Sequence, residues 1–163
     1  MAQIEKENEK KDVKTEGRNQ LVVFQLGKEE YAVDITQSKE IIKIDKITNV
    51  PNTPDYVRGV INLRGQIIPV VDLRKRFNIS DQCQREKVIT VEVNDTLIGL
   101  VVDAVNEVFW FDLEELAPAP EVDGGIKQEF IKGVIQRGER LLVLIDLKKL
   151  LFESKRAEEG RVI

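Results

Sequence analysis

An internal repeat constrains the fold of this chain more than any other feature of its sequence. Residues 59–77, GVINLRGQIIPVVDLRKRF, align with residues 133–151, GVIQRGERLLVLIDLKKLL, at an offset of 74 without a gap. A weaker match at an offset of 67 aligns Glu40-Ile41 with Glu107-Val108. Self-similarity of this kind indicates that one supersecondary unit has been used twice. Two units are too few for a solenoid, so the repeat predicts two related small β-barrels, each stabilised by packing against the other.

Short apolar runs broken by turn residues supply the strands of these units. Residues 21–35, LVVFQLGKEEYAVDI, have the pattern of a hairpin that turns at Gly27-Lys28. Residues 88–105 have the pattern of a second hairpin, which turns at Asn94-Asp95. The segments between the strands leave room only for short helices. The sequence therefore predicts an all-β fold with short helices.

Charge runs indicate the limits of the folded part. Residues 1–18 mix charges with scattered, non-periodic apolar residues, so we expect a disordered tail there. Residues 153–163 have the same character and are expected to form a C-terminal tail. We expect the folded domain, with two intertwined barrel subdomains, to span residues 19–152.

Composition excludes several classes of function. The 163 residues contain no histidine, which excludes Ser-His-Asp and Cys-His catalysis, imidazole metal sites and a phosphohistidine relay. Cys83 is the single cysteine, so no intramolecular disulfide is possible. A net charge of −4 argues against nucleic acid or an anionic membrane as the main partner. Because the chain has neither a signal-peptide pattern nor an apolar run of about 18 residues, we expect a cytoplasmic protein without membrane insertion.

Asp72 and Asp146 form the obvious carboxylate pair, at equivalent positions of the repeat. Each follows an apolar strand and precedes a short helical stretch, which is where an N-cap side chain accepts hydrogen bonds from free backbone N–H groups. A structural cap is therefore the favoured interpretation, and an enzyme that uses the two carboxylates is the alternative. The glycines match neither a Walker A nor a dinucleotide motif, so we expect no cofactor and no enzymatic activity. A small RNA-binding barrel is a further alternative, which would need a basic face with exposed aromatic residues.

The segment EVFWFD, residues 107–112, is apolar on both faces of its predicted strand. Phe109 and Phe111 share one face, whereas Val108 and Trp110 share the other. Only one face of a strand in a small barrel points to the interior. The second face is therefore either buried elsewhere in the core or available to a partner.

Two loops are candidates for contact with other proteins. In the turn of the first repeat, Asn62 and Gly65 already supply the turn chemistry, so Arg64 is either a solvated turn residue or a contact point. The segment APAPE, residues 117–121, is stiffened by proline. It is either a plain connector or a rigid edge that is presented to a partner at low entropic cost.

These segments together resemble a known family. The stretches FQLGKEEYAVDI, KEII, TPDYVRGVINLRGQIIPVVDLRKRF, IGLVVDAVNEV and APAPE are similar to those of the bacterial chemotaxis coupling proteins of the CheW family. The resemblance covers roughly residues 19–152, and the long motif around GVINLRG is highly specific. It implies two five-stranded, SH3-like β-barrels over a shared core. It also implies an adaptor without catalytic activity.

The resemblance further implies partners and contact residues. Proteins of this family bridge the cytoplasmic hairpin tips of methyl-accepting chemoreceptors to the regulatory domain of the histidine kinase CheA. We therefore expect these two partners, a monomeric free form and recruitment to membrane-associated receptor arrays. The chain contains no kinase or receiver segment, so we expect a free-standing adaptor rather than a fragment of CheA or of the fusion protein CheV. By position, the receptor-facing residues are Glu40, Arg64, Gly65 and Val108, with Val33 and Ile35 as apolar neighbours. The corresponding ring contact with the kinase lies at Pro118, Pro120, Glu121 and Val122.

Overall fold

The computed structural model describes residues 18–44, 46–79, 86–119 and 127–153. The strands within these ranges are β1 (Arg18–Leu26), β2 (Glu29–Asp34), β3 (Ser38–Lys43), β4 (Val57–Leu63), β5 (Gln66–Asp72), β6 (Lys87–Val93), β7 (Thr96–Val102), β8 (Ala104–Asp112), β9 (Ile131–Arg137) and β10 (Arg140–Ile145). Helical segments are short: α1 (Leu73–Arg76), the 3₁₀ turns Ile35–Gln37, Leu113–Glu115 and Gln128–Phe130, and a π-helical turn, Lys149–Glu153. None of the described helices has the length and apolar character needed to cross a membrane.

Parts of the expected organisation lie outside the described residues. They are residues 1–17 of the N-terminal tail, the C-terminal tail beyond Glu153 and the loop that contains Cys83. Strand β1 begins at Arg18, one residue before the expected start of the domain. The domain limits therefore stay a prediction.

The described strands form two five-stranded sheets. Sheet A has the order β8-β1-β2-β10-β9, and sheet B has the order β3-β6-β7-β5-β4. The two orders are equivalent: if five is added to each strand number of sheet A, counting β1 after β10, the order of sheet B results. Each sheet therefore takes a hairpin from one copy of the repeat and three strands from the other copy. The predicted hairpins, β1–β2 and β6–β7, are confirmed and are the elements that cross over.

Backbone bridges close each sheet on itself. Beyond β3, the chain reaches the opposite edge of sheet B, where Thr48 and Val60 exchange hydrogen bonds of 2.9 and 2.8 Å. Beyond β8, Ala117 and Val134 exchange hydrogen bonds of 2.9 and 2.8 Å at the opposite edge of sheet A. We call the two closed sheets barrel A and barrel B, and they confirm the predicted pair of barrels.

These closures explain why both copies of the repeat begin with glycine. A Cβ atom on Gly59 would lie 2.1 Å from the carbonyl oxygen of Thr48, where the chain crosses β4. A Cβ atom on Gly133 would lie 2.7 Å from the carbonyl oxygen of Ala117, at the equivalent crossing of β9. Neither distance is compatible with a side chain, so barrel closure requires glycine at both positions.

The core has a shared part and two separate parts. The shared part lies between the barrels and combines residues of both, among them Val22 and Val33 of sheet A and Ile89 and Leu100 of sheet B. The interior of barrel A is filled by Leu21, Val23, Ala32, Phe109, Phe111, Ile135, Leu142 and Leu144. The interior of barrel B has a smaller buried set, Val70, Val88 and Val101. Because burial of one large aliphatic side chain contributes about 1.5–3 kcal/mol, the shared cluster makes each barrel depend on the other.

The two repeat aspartates are caps. The Asp72 carboxylate accepts hydrogen bonds from the backbone N–H groups of Arg74 and Lys75, at 3.0 and 3.3 Å. It also forms an ion pair with Nε of Arg58 at 3.1 Å. The Asp146 carboxylate accepts from the backbone N–H of Lys149 at 3.1 Å. Each carboxylate is therefore directed at the helical turn that follows it, and the capping interpretation is confirmed.

Candidate functional site

Arg64 occupies an unusual backbone conformation at the tip of the β4–β5 hairpin. Leu63 pairs with Gln66, which leaves Arg64 and Gly65 as a two-residue turn with φ angles of +52° and +86°. Positive φ at both central residues is typical of a type I′ turn, whose first position favours Asn, Asp or Gly. The Asn62 side chain accepts the Gly65 N–H at 2.8 Å and holds the turn. An arginine in this region costs roughly 1–2 kcal/mol relative to ordinary backbone angles.

The equivalent hairpin turn in the second copy of the repeat is built without such a residue. Gly138 lies at the position of Arg64, with a φ of +63°. Arg137, which precedes it, is the last residue of β9 and pairs with Arg140 across the hairpin. The fold therefore accepts glycine at this position, and the arginine of the first copy is not a requirement of the turn.

Glu40 and Arg64, both predicted contact residues, meet in the structure. A guanidinium nitrogen of Arg64 forms an ion pair with a carboxylate oxygen of Glu40. The Arg64 side chain is 72% exposed and that of Glu40 is 32% exposed. Strand β3 holds Glu40 in place because its backbone N–H donates to the hydroxyl of Thr90 on β6 at 3.0 Å. Most of the Arg64 side chain therefore remains exposed, while the backbone of Glu40 is anchored to β6.

This ion pair lies at the rim of an open groove of about 540 Å³ at one end of barrel B. Its lining consists of Lys39, Glu40, Leu63, Arg64, Gln66, Thr90, Glu92, Asp95 and Leu97. We call this feature the mouth of barrel B. Lys39 and Glu92 form a second ion pair across it, at 3.1 Å. The groove is thus mainly polar at its rim, with two leucine side chains in its walls.

Val108 lies on the other barrel, and the alternation predicted for residues 107–112 is confirmed. Phe109 and Phe111 are buried inside barrel A, whereas Val108 and Trp110 are exposed on the opposite face of β8. Val108 pairs with Val22, a member of the shared core, and is itself 48% exposed. It therefore extends the shared core to the surface at the edge of sheet A.

Ile41 is an exposed apolar residue that the sequence analysis did not select. It lies on β3 next to Glu40, pairs with Ile89 of the shared core and is 49% exposed. By the offset of 67 it is the counterpart of Val108. The alignment of Glu40-Ile41 with Glu107-Val108 was therefore the signal that would have identified it.

Two other predicted receptor contacts have different surroundings. Val33 lies on β2 and is fully buried in the shared core, so its side chain cannot reach a partner and we leave it out of the contact surface. Ile35 lies in the 3₁₀ turn that leads from sheet A to sheet B and is half-buried against the shared core. Asp34 caps this turn by accepting the N–H of Thr36 at 2.9 Å. Ile35 thus keeps part of its surface at the junction of the two barrels.

The predicted kinase contact is only partly described. Pro118 is exposed and follows the bridge by which Ala117 closes barrel A. Pro120, Glu121 and Val122 lie outside the described residues. The Pro118 end of the loop is therefore anchored to barrel A through its neighbour.

A dense ion-pair cluster covers the end of barrel A. Arg140 donates to Glu30 through Nε and Nη2, at 2.8 and 3.1 Å, and also pairs with Glu107. Its guanidinium carbon lies 5.4 Å from the ring centre of Phe109. The hydrogen bonds from Arg140 lower the pKa of Glu30 below its ordinary value, and the same contacts raise the pKa of Arg140. Arg140 is therefore a structural residue that holds strands β2, β8 and β10 together.

Comparisons with known proteins agree with this architecture. The family model described as "CheW-like domain" matches residues 20–155. The chemotaxis protein CheW of Klebsiella aerogenes is 38% identical over 140 residues, which cover 85% of this chain and 84% of that protein. The chemotaxis protein CheW of Treponema pallidum is 36% identical over 146 residues, covering 86% and 85%. The crystal structure of the scaffolding protein TtCheW from Thermoanaerobacter tengcongensis superposes with a TM-score of 0.76 at 38% identity, covering 82% of this chain and 88% of that one.

Proposed function

Because the chain belongs to the CheW family of chemotaxis scaffolding proteins, we propose that it is a non-catalytic adaptor that couples chemoreceptor tips to the histidine kinase CheA. The relatives are named as chemotaxis and scaffolding proteins, which agrees with the expectation that this chain is not an enzyme. Coupling recruits the protein to receptor arrays at the membrane through its partners.

The observation that carries this proposal is the contrast between Arg64 and Arg140. Both arginines pair with the corresponding glutamate of their repeat, Glu40 or Glu107. Arg140 also pairs with Glu30 and lies over the ring of Phe109, so it forms several contacts within the chain. Arg64 has positive φ and a side chain that is 72% exposed, so it adds little to the stability of its own fold. A residue kept in such a conformation is best explained by a contact with another molecule.

The contact surface that we propose for the receptor combines a charged and an apolar part. Glu40, Arg64 and Gly65 supply directional polar contacts to a helical hairpin. Ile35, Ile41 and Val108 supply apolar area at the junction and edges of the barrels, in the manner of a helix that packs into a groove. Binding there would shift the kinase between conformations only if the receptor states differ in affinity, since coupling is a difference of binding free energies.

The second contact, with the CheA regulatory domain, is proposed for the loop with Pro118, Pro120, Glu121 and Val122. A proline-stiffened loop loses little conformational entropy on binding. The exposure of Pro118 and the anchoring of Ala117 to Val134 support this assignment.

The test is co-sedimentation of the chain with a receptor cytoplasmic fragment and CheA. Arg64→Asp is expected to reduce the amount recovered with the receptor by at least about tenfold, because it replaces an attractive contact with a repulsive one. Lys132→Asp makes the same charge change at an exposed position of β9 and serves as the matched control. Unchanged recovery of a folded Arg64→Asp variant would show that the receptor contact lies elsewhere.

A further inference from the structure

The two barrels differ at equivalent ends, although their strands correspond one to one. The end of barrel A is covered by Gln25, Glu30, Asn106, Glu107, Arg137 and Arg140. The corresponding residues of barrel B, by the offsets of 67 and 74, are Glu92, Leu97, Lys39, Glu40, Leu63 and Gln66. All six of these residues line the mouth of barrel B. The repeat therefore places an open groove where the other barrel has a cluster of ion pairs and hydrogen bonds.

The cluster at the end of barrel A contains two guanidinium groups. Arg140 lies between Glu30 and Glu107, and Arg137 lies 4.4 Å from the ring centre of Phe109 while it pairs with Glu115 at 2.9 Å. Asn106 completes the cluster by donating to Gln25 at 3.1 Å and to Glu30 at 2.9 Å. The chain itself thus shows which chemical group fits this end of the barrel: a cation held by carboxylates from β2 and β8.

Barrel B lacks these cations and keeps one of the two carboxylates that hold Arg140, because Glu40 corresponds to Glu107 whereas Leu97 stands in place of Glu30. Leu63 and Gln66 stand in place of Arg137 and Arg140, and they form the equivalent strand pair at the hairpin tip. The lining has three carboxylates, Glu40, Glu92 and Asp95, against two cations, Lys39 and Arg64. The groove is consequently net negative and has room for a side chain that the fold does not provide.

We propose that the mouth of barrel B receives a basic side chain, arginine or lysine, of a partner protein, in the place that Arg140 fills in barrel A. This inference rests on the proposed adaptor function and names the chemistry of its receptor-facing site. An incoming cation would pair with Glu40, which now holds Arg64. Arg64 would then be released toward a carbonyl or carboxylate of the same partner, so that one ion pair within the chain is exchanged for two contacts across the interface.

A charge series at Gln66 tests the proposal, with the receptor cytoplasmic fragment as the probe in isothermal titration calorimetry at low salt. Gln66→Arg installs the internal cation of barrel A and is expected to weaken binding by about tenfold or more. Gln66→Glu adds a carboxylate and is expected to strengthen binding by about two- to fivefold, the range of a single exposed ion pair. Gln136→Arg, on the equivalent hairpin of barrel A, is the control and is expected to bind as the unmodified chain does. Urea unfolding verifies that each variant is folded.

The outcomes separate the possible occupants. Opposite effects of arginine and glutamate, which shrink at high salt, support a basic side chain in the mouth. Equal weakening by both substitutions indicates steric exclusion without charge recognition and overturns the proposal. Tighter binding of Gln66→Arg, or no effect of either substitution, overturns it as well. Failure of the unmodified chain to bind the receptor fragment would refute the adaptor function itself, and this inference with it.

Discussion

Replacing Arg64 by asparagine should stabilise the fold while it removes the proposed receptor contact. Asparagine occupies the left-handed region several-fold more readily than arginine, which corresponds to about 1 kcal/mol. Loss of the exposed ion pair with Glu40 offsets part of this gain, by roughly 0.2–1 kcal/mol. The net expectation for Arg64→Asn is a gain of about 0.5 kcal/mol.

A double-mutant cycle separates the two terms. In a Glu40→Gln background the ion pair is already absent, so Arg64→Asn should stabilise by about 1 kcal/mol, the full conformational term. For a domain of this size that is a rise of about 2–4 °C in Tm. Urea unfolding of the four chains measures both steps. Arg140→Asn is the contrasting variant, and it should destabilise because it breaks the contacts with Glu30 and Glu107.

The result that would refute this reasoning is a lower stability of Arg64→Asn in the Glu40→Gln background. Positive φ at Arg64 would then not be a source of strain, and the main argument for an external contact would lose its basis. Gain of stability together with loss of receptor co-sedimentation is the combination expected of a residue selected for binding.

The remaining predictions concern the scaffold. Gly59→Ala should lower the free energy of unfolding by at least about 3 kcal/mol, because its Cβ atom meets the Thr48 carbonyl. Gly138→Ala should lower it by only about 1 kcal/mol, because the Cβ position at Gly138 is open. Urea unfolding measures both values. The pKa of Glu30 is lowered in the folded state. The ionised Glu30 side chain therefore stabilises the fold fully above the ordinary pKa of 4.5, and this stabilisation is lost as the pH falls through the lowered value. Glu30→Gln should flatten the pH dependence of the free energy of unfolding in that window. Fragments 1–86 and 87–163 should each be unfolded alone by circular dichroism and should form a 1:1 complex when mixed, because each sheet needs strands from both.

The sequence identified those elements that depend on local pattern. Alternation along residues 107–112 correctly separated the buried Phe109 and Phe111 from the exposed Val108 and Trp110, because a strand of a small barrel has one interior face. The capping role of Asp72 followed equally from local chemistry, since an aspartate between a strand and a helical turn has free N–H groups within reach.

Residue positions that depend on packing between distant parts of the chain were harder to predict from the sequence. The apolar character of Val33 does not reveal whether it lies in the core or at the surface. Only the packing of sheet A against sheet B shows that it is buried. The ion pair of Glu40 with Arg64 spans 24 positions, and no periodicity relates them. Ile41 was hidden for a different reason: its signal was present in the repeat alignment, but an apolar residue in a strand is ordinarily assigned to the core.

The repeat alignment shows that two units are alike but not which strands pair, and that distinction determines where function can arise. Because the β1–β2 and β6–β7 hairpins cross over, each barrel mouth combines a hairpin of one copy with three strands of the other. Glu30 pairs with Arg140 from 110 positions away, whereas their counterparts Leu97 and Gln66 both line the open groove. Each mouth therefore depends on residues of both copies, and differences between the copies give one end covered by an ion-pair cluster and one end with an open groove.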